Sequence, residues 1–305
     1  MVTELVRGVT WPRRQPELAV SDVETGRTRR IPLDSVFLSF RVMGARGRTY
    51  CLGRSASDGN GGSVHIPCPD RAYAVSGSQC DACASKDQFR FVHIVHRQKF
   101  VSKDIEAVVM QPHWLYVATF AGGVSKIGTA TDTRKWGRLT EQGALVGRYV
   151  ARGADGRVIR DMEDAVTAGV GLRQAVRASA KAAALARPVD LGELDAQNLA
   201  AAVEARELLS GSDFGRDSSI VDETWDPPAG RDALIDAGER LAYPAELSSG
   251  AHGFSIRAVV GSAALVTVPA DPTTAYVADL SRLKGRRIEF GDYRTKLPPV
   301  QAVLF

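Results

Sequence analysis

The segment from Trp114 to Glu163 constrains the fold of this 305-residue chain more than any other part of the sequence. Residues 115–120 form a run of β-branched and aromatic side chains, and residues 124–128 form a second such run. Between them lies Gly122-Gly123, a dipeptide that favours a tight turn. Two strand-like runs joined in this way predict a β-hairpin.

Helices and a third strand are predicted to follow the hairpin. Thr131 or Asp132 can cap a helix that Gln142-Gly143 would end. A third apolar run, Leu145 to Val150, precedes a glycine-rich turn and a helix from about Ile159. The segment therefore predicts an α+β core with a small antiparallel sheet and flanking helices. Its first helix carries basic side chains, namely Arg134, Lys135 and Arg138.

This order of elements resembles the GIY-YIG nuclease domain, in which a hairpin with two short tyrosine motifs precedes an arginine-bearing helix and a helix with a metal-binding glutamate. Tyr116 matches the first motif, and Lys126-Ile127-Gly128 matches the second with lysine in place of its tyrosine. Arg138 matches the helical arginine, and Glu163 matches the glutamate. The resemblance implies metal-dependent cleavage of a nucleic-acid phosphodiester.

Most of the chain is also similar to domain-of-unknown-function family 2797, an uncharacterised family of bacterial and archaeal proteins. The matching stretches are Pro112 to Ala118, Lys126 to Thr129, and Arg138 to Ala144. Members of that family look like a cysteine ribbon, these three segments, an arginine–glutamate helix and a β-rich tail. The similarity implies this architecture more firmly than any activity.

Each of the four core residues has a chemical role if the nuclease resemblance holds. Glu163 would hold a catalytic Mg²⁺ or Mn²⁺, and Arg138 would grip the scissile phosphate bidentately. Tyr116 would orient the attacking water or help to deprotonate it. Lys126 is protonated at neutral pH unless buried, so we expect it to clamp phosphate. The alternative is a non-catalytic nucleic-acid- or protein-binding protein that keeps the fold for its phosphate-gripping surface.

Four cysteines suggest a metal site at Cys51, Cys68, Cys80 and Cys83. Cysteines in a cytosolic chain point to metal ligands or isolated thiols rather than disulfides. Two residues between the last pair let both thiolates converge on one tetrahedral ion. We expect a structural zinc ion, with unmetallated buried cysteines or a redox pair as the alternatives.

The first half of this zinc site departs from the resembling family, in which the first two cysteines are close together. Arg54 stands where a second cysteine would be expected, and a glycine-rich insertion at residues 58–63 precedes Cys68. His65 is a possible substitute ligand. A site that combines the last cysteine pair with His93 and His96 is also conceivable, but alternation along this strand-like segment would place the two histidines on opposite faces.

The net charge permits a nucleic-acid partner without requiring one. The chain has 39 Lys and Arg against 35 Asp and Glu, a net charge of +4. The Ala-rich segment 172–187 predicts a helix on which Arg173, Arg177 and Lys181 share one face. Together with Arg134 and Lys135, these are candidate contacts to DNA or RNA, and a solvated charged face is the simpler alternative.

Length and composition predict several modules. We divide the chain into a β-rich module with the cysteine zinc site at residues 1–105, a GIY-YIG-like core at 106–188, an acidic helical linker at 189–248 and a small β module at 249–305. The sequence shows neither an apolar run of the roughly 20 residues that a membrane span needs nor a secretory signal, which favours a cytoplasmic protein. The oligomeric state stays open.

Overall fold

A computed structural model of the chain describes residues 2–45, 47–59, 62–90, 95, 103–214 and 218–297. It confirms an α+β protein. The strands within these residues are β1 (Thr3–Thr10), β2 (Glu17–Asp22), β3 (Thr28–Pro32), β4 (Phe37–Met43), β5 (Arg54–Ser57), β6 (Ser63–Ile66), β7 (His113–Phe120), β8 (Val124–Thr131), β9 (Val146–Gly153), β10 (Ser218–Thr224), β11 (Leu241–Ala242), β12 (Gly250–Val260), β13 (Ala263–Val268), β14 (Asp271–Asp279) and β15 (Arg287–Phe290). The α-helices are α1 (Asp81–Ser85), α2 (Lys103–Val109), α3 (Lys135–Gln142), α4 (Gly156–Val170), α5 (Ala178–Leu185), α6 (Leu191–Ser210) and α7 (Gly230–Ile235).

The chain divides into two compact units, each assembled from separate segments. The first comprises residues 1–50, 182–188 and 229–305, and the second comprises residues 51–181 and 189–228. This division differs from the four consecutive modules expected from the sequence. Among the described residues, no helix is both long enough and apolar enough to cross a membrane.

The first unit contains a nine-stranded sheet in the order β11-β14-β13-β12-β4-β15-β1-β2-β3. The C-terminal strands expected from the sequence are present as β12 to β15. They do not form a separate module, because β4 from the N-terminal segment lies between β12 and β15 and pairs antiparallel with both. Strands that are distant in sequence thus complete one sheet.

The second unit is organised around an antiparallel sheet in the order β10-β9-β7-β8. The predicted hairpin is confirmed as β7 and β8, with Gly122 and Gly123 at φ +80° and +74° in the turn between them. Strand β10 was not predicted, since it lies within the segment 189–248 that was interpreted as an acidic helical linker. It pairs with β9, and Trp225 directly after it is buried and donates its backbone N–H to Gly147 O at 2.9 Å.

Alternation of side chains along β7 gives the sheet two different faces. Leu115 and Val117 pack against α4 and α6, the latter lying in the expected linker segment. Tyr116 and Phe120 point to the opposite face, where they pack with Leu139 of α3 and with Trp225. The predicted catalytic tyrosine therefore lies on the α3 side of the sheet.

The ends of the core helices follow from local sequence. Gly143 ends α3 in the left-handed conformation at φ 73°, as predicted. Helix α4 begins at Gly156, earlier than the predicted Ile159, because the Asp155 side chain accepts the backbone N–H groups of Arg157 and Val158.

Candidate functional site

Tyr116 lies in the middle of β7 and is fully buried. Its hydroxyl accepts a hydrogen bond from Gln142 Nε2 at 2.8 Å. Burial raises the pKa of Tyr116, although the positive charge of Arg138 and the Gln142 hydrogen bond oppose this shift. The side chain is therefore a neutral phenol at neutral pH and can act as a hydrogen-bond partner rather than as a base.

Lys126 lies on the neighbouring strand β8 and is only 6% exposed. Its Nζ donates to the Gln174 carbonyl at 3.1 Å and lies 5.8 Å from the centroid of the Tyr116 ring. Burial, followed by repulsion from Arg138, lowers the pKa of Lys126 to about 8. The ammonium form still predominates at neutral pH, but it is poorly solvated.

Arg138 and Glu163 act on this pair from two helices. Arg138 is an exposed residue of α3, and Glu163 is 4% exposed on α4, where its Oε2 accepts from Arg160 at 2.5 Å. The charge of Arg138 lowers the pKa of both Tyr116 and Lys126, and the charge of Glu163 raises both. The four predicted catalytic residues are thus within electrostatic reach of one another.

The predicted helical stripe of basic residues is wrong. Helix α5 begins at Ala178, so Arg173 lies outside it, and Arg177 only precedes its first turn, where the Arg177 carbonyl accepts the Lys181 backbone N–H at 3.2 Å. The segment before α5 instead extends along the edge of β8, where the Ile127 backbone N–H donates to Arg173 O at 3.0 Å. A backbone bound to a strand edge cannot also make helical hydrogen bonds.

Lys181 instead turns toward the α3 side of the sheet. Its Nζ donates to the Gln142 carbonyl at 2.8 Å and lies 4.0 Å from the centroid of the Phe120 ring. Burial, followed by repulsion from Lys126 and from Arg138, lowers the pKa of Lys181 to about 8. Lys181 therefore belongs to the same charged group as the predicted site.

The two other candidate nucleic-acid contacts are paired with carboxylates. Arg134 forms an ion pair with Glu141. Lys135 Nζ lies 2.5 Å from Glu223 Oε2 and 3.3 Å from the centroid of the Trp114 ring. Their charges are largely balanced, unlike that of Lys181.

The four cysteines come together in the second unit. Their Sγ atoms all lie within 4.8 Å of one another, with Cys68 and Cys80 separated by 3.9 Å, and Cys51, Cys80 and Cys83 are buried. Four thiolates around a tetrahedral zinc ion, at Zn–S distances of about 2.3 Å, lie roughly 3.8 Å apart. The group has the dimensions of such a site, and all four cysteines are free thiols.

Among the described residues, the cysteine group contains the four cysteines and not His65. The imidazole Nε2 of His65 lies 2.5 Å from Leu52 O, so this ring nitrogen contacts the backbone. His93 and His96 lie outside the described residues. Gly53, at φ +85°, follows the first cysteine, and a β-carbon there would lie 2.1 Å from Ile66 O. A residue without a side chain lets the loop after Cys51 approach the segment that carries Cys68.

A scan of protein-family models and searches of curated proteins and of solved structures found no match. Function is therefore inferred from the geometry of the charged group and of the cysteine group.

Two polar residues with central contacts were not predicted, Gln142 at the site and Asn198 on the opposite face of the sheet. Gln142, interpreted only as the end of a helix, joins Tyr116 to Lys181 through its side chain and its carbonyl. Asn198, in the middle of α6, is fully buried and donates to Val117 O and Thr119 Oγ1, and its Oδ1 accepts from Arg148. A polar residue at an interior helical position was the available signal for Asn198.

Proposed function

We propose that the second unit contains a GIY-YIG-like core that cleaves nucleic-acid phosphodiesters, and that the four cysteines hold a structural zinc ion. One observation carries the catalytic part: Arg138 and Glu163 both shift the pKa of Tyr116 and of Lys126. Residues matched to four separate motifs thus share one electrostatic environment. Residues scattered over a solvated surface would not be expected to shift one another's pKa values in this way.

Arg138 is the residue that would meet the substrate first. It is exposed, and among the described residues no carboxylate lies within 4 Å of its guanidinium. A planar guanidinium without an ionic partner can bind a phosphate bidentately. Behind it, Lys126 would add a second positive charge to the bound phosphate, and the phenol of Tyr116 would orient the attacking water.

Glu163 is the residue that would hold the catalytic Mg²⁺ or Mn²⁺. Magnesium in phosphate-processing sites takes one or two protein carboxylates and completes its octahedron with phosphate and water oxygens, so a single carboxylate is a sufficient protein ligand. When bound, the ion would supply neutralisation of the charge that develops on the phosphate. The Arg160 contact would have to open for Glu163 to serve in this way.

The zinc ion would have a structural role, because four cysteine ligands leave no open coordination position. It would join the loop at Cys51, the loop at Cys68 and the start of α1 at Cys80 and Cys83. These segments include only short elements, namely β5, β6 and α1, which offer little apolar surface for packing. A bound metal would stabilise them instead.

A non-catalytic role is the second candidate function, and two observations favour it. Tyr116 is fully buried, and Glu163 is already paired with Arg160. A site closed in this way could bind nucleic acid through its cations without cleaving it.

Cleavage of labelled DNA and RNA by the purified protein, with Mg²⁺ or Mn²⁺ and with EDTA, tests the proposal. We expect metal-dependent cutting that Glu163→Gln lowers by at least about 100-fold, since it removes the carboxylate but keeps the shape. Glu204→Gln, which changes an exposed glutamate of α6 in the same way, should cut like the wild type. Binding of the same strands without any cutting would reject the nuclease and leave the binding role.

A further inference from the structure

Two lysine ammonium groups, the buried one of Lys126 and the half-buried one of Lys181, lie in the second unit without an ionic partner among the described residues. Lys126 Nζ donates a hydrogen bond to the Gln174 backbone carbonyl, and Lys181 Nζ donates one to the Gln142 backbone carbonyl. Among the described residues, no carboxylate lies within 4 Å of either nitrogen. An ammonium offers three donors, so each has donor capacity to spare. Buried cations are normally paired because desolvating an unpaired charge is costly.

The surrounding charges do not balance these two cations. Arg138 and Arg160 add positive charge at Lys126, and Lys126 and Arg138 add positive charge at Lys181. The negative charge of Glu163 acts at Lys126. That carboxylate is already bound to Arg160. The group thus has four cations and one carboxylate, which leaves an excess of positive charge beneath an exposed arginine.

We propose that Lys181 joins Lys126 and Arg138 in a binding site for a phosphate group of a nucleic-acid strand. The inference rests on the proposed function in naming the ligand class of the same site, but it does not require that the strand be cut. A phosphate supplies what the group lacks, because it brings negative charge and several strong acceptor oxygens. A neutral ligand could accept hydrogen bonds from the two ammonium groups, but it would not offset the repulsion among the cations.

Gln142 connects this phosphate site to Tyr116. Its carbonyl accepts from Lys181 Nζ, and its side-chain amide donates to the Tyr116 hydroxyl. The Phe120 ring, 4.0 Å from Lys181 Nζ, adds a cation–π contact that holds the ammonium on this side of the sheet. A phosphate that binds Lys181 is therefore linked through one residue to the tyrosine. Lys181 is a binding residue in this scheme.

Proton uptake should accompany binding. The groups facing Lys126 are Arg138, Glu163 and Arg160, and those facing Lys181 are Lys126 and Arg138. A bound phosphate adds a negative charge to these surroundings and raises the pKa of both lysines, which favours their protonated forms. By linkage, affinity should fall as the pH rises above about 8, the pKa of each lysine in the free protein.

The test measures the anisotropy of a fluorescent single-stranded oligonucleotide, titrated with the full chain in EDTA at several salt concentrations. We expect Lys181→Met to weaken binding about tenfold at low salt and to reduce the slope of log Kd against log salt by about 0.7, the value for one lost phosphate contact on a single strand. Lys103→Met is the matched control, since Lys103 is an exposed lysine of α2 that belongs to no candidate site. It should change Kd by less than about twofold. An unchanged Kd and slope for Lys181→Met would overturn the inference.

A measurement on the wild type alone keeps the inference testable if Lys181→Met does not fold. A comparison of binding with cutting separates this inference from the proposed cleavage. The wild type alone should bind more weakly at pH 9 than at pH 7, and either no binding at low salt or no dependence on pH would contradict the site. If Lys181→Met weakens binding while Mg²⁺ or Mn²⁺ produces no cutting, the nuclease fails and the phosphate site stands. If cutting occurs and Lys181→Met binds and cuts like the wild type, only the phosphate site fails.

Discussion

The hydroxyl of Tyr116 lies 2.6 Å from the position that a β-carbon on Gly128 would occupy. The two residues are cross-strand partners in the β7–β8 hairpin, and the tyrosine ring extends over the glycine. Glycine at this position therefore creates the space in which the Tyr116 side chain is buried. Gly128, the last residue of the Lys126-Ile127-Gly128 segment, thus leaves room for the Tyr116 ring on the neighbouring strand.

Gly128→Ala should destabilise the protein by about 1–3 kcal/mol, because the added methyl overpacks a filled space and forces the ring away from Gln142. Chemical denaturation measures the free energy of unfolding. Gly137→Ala is the control, since a β-carbon at Gly137 in α3 meets nothing within 4 Å. That change should stabilise the protein by up to about 1 kcal/mol through helix propensity. Equal effects of the two substitutions would contradict the packing role of Gly128.

We expect one zinc ion per chain, measured by elemental analysis of protein purified without added metal. Single Cys→Ser substitutions at Cys51, Cys68, Cys80 or Cys83 should each lower the zinc content and the melting temperature, because three thiolates hold the ion less tightly. His65→Ala should keep the zinc, since the His65 ring contacts the Leu52 carbonyl. Full zinc content in the Cys68→Ser variant would remove Cys68 from the site.

The stability of the protein should depend on pH through Lys126. Burial lowers the pKa of Lys126 to about 8, whereas a lysine in the unfolded chain titrates near ~10.4. Between these values the unfolded state binds more protons, so the free energy of unfolding rises with pH, and the cost of the buried charge is fully present below about pH 8. From about pH 7.5 to 9.5, stability should rise by about 1–2 kcal/mol more in the wild type than in Lys126→Met.

Urea denaturation at each pH provides this comparison. Lys103→Met, at an exposed position of α2, should keep the pH dependence of the wild type. Parallel curves for the wild type and Lys126→Met would show that the Lys126 charge costs the folded state nothing.

Asn198 should behave as a structural residue of the sheet. Asn198→Ala leaves a buried carbonyl, a hydroxyl and the guanidinium of Arg148 short of partners, so we expect a loss of about 2–4 kcal/mol. A double-mutant cycle with Arg148→Met should show a coupling of at least about 1 kcal/mol. Gln197→Ala, which removes an exposed contact to Gly123 O, should cost less than about 0.5 kcal/mol. Strict additivity would exclude a shared network.

Local patterns predicted the elements of the core well. The β7–β8 hairpin and the end of α3 at Gly143 depend on neighbouring residues, such as the Gly122-Gly123 turn. Helix α5 was predicted too early because the spacing of its basic residues fits a helix, while Arg173 lies on the edge of β8. That outcome is decided by a strand distant in sequence.

Other features had no local signal. Strand β10 is largely exposed and polar, and it becomes a strand through pairing with β9. The convergence of Lys181 with Lys126 depends on the path of the chain after α4, which no spacing rule supplies. The cysteine types and the CxxC spacing predicted the metal group, but the choice of Cys51 and Cys68 over His65 required three-dimensional distances.

The place of β4 between β12 and β15 also sets an order of events during synthesis. Strand β4 ends at Met43, and its two neighbours begin at Gly250 and Arg287. On the ribosome its edges therefore stay unpaired until almost all of the described chain has emerged, while the β10-β9-β7-β8 sheet is complete once Thr224 has been made. Nascent-chain folding should thus proceed from the middle of the sequence outward, with the nine-stranded sheet closing last.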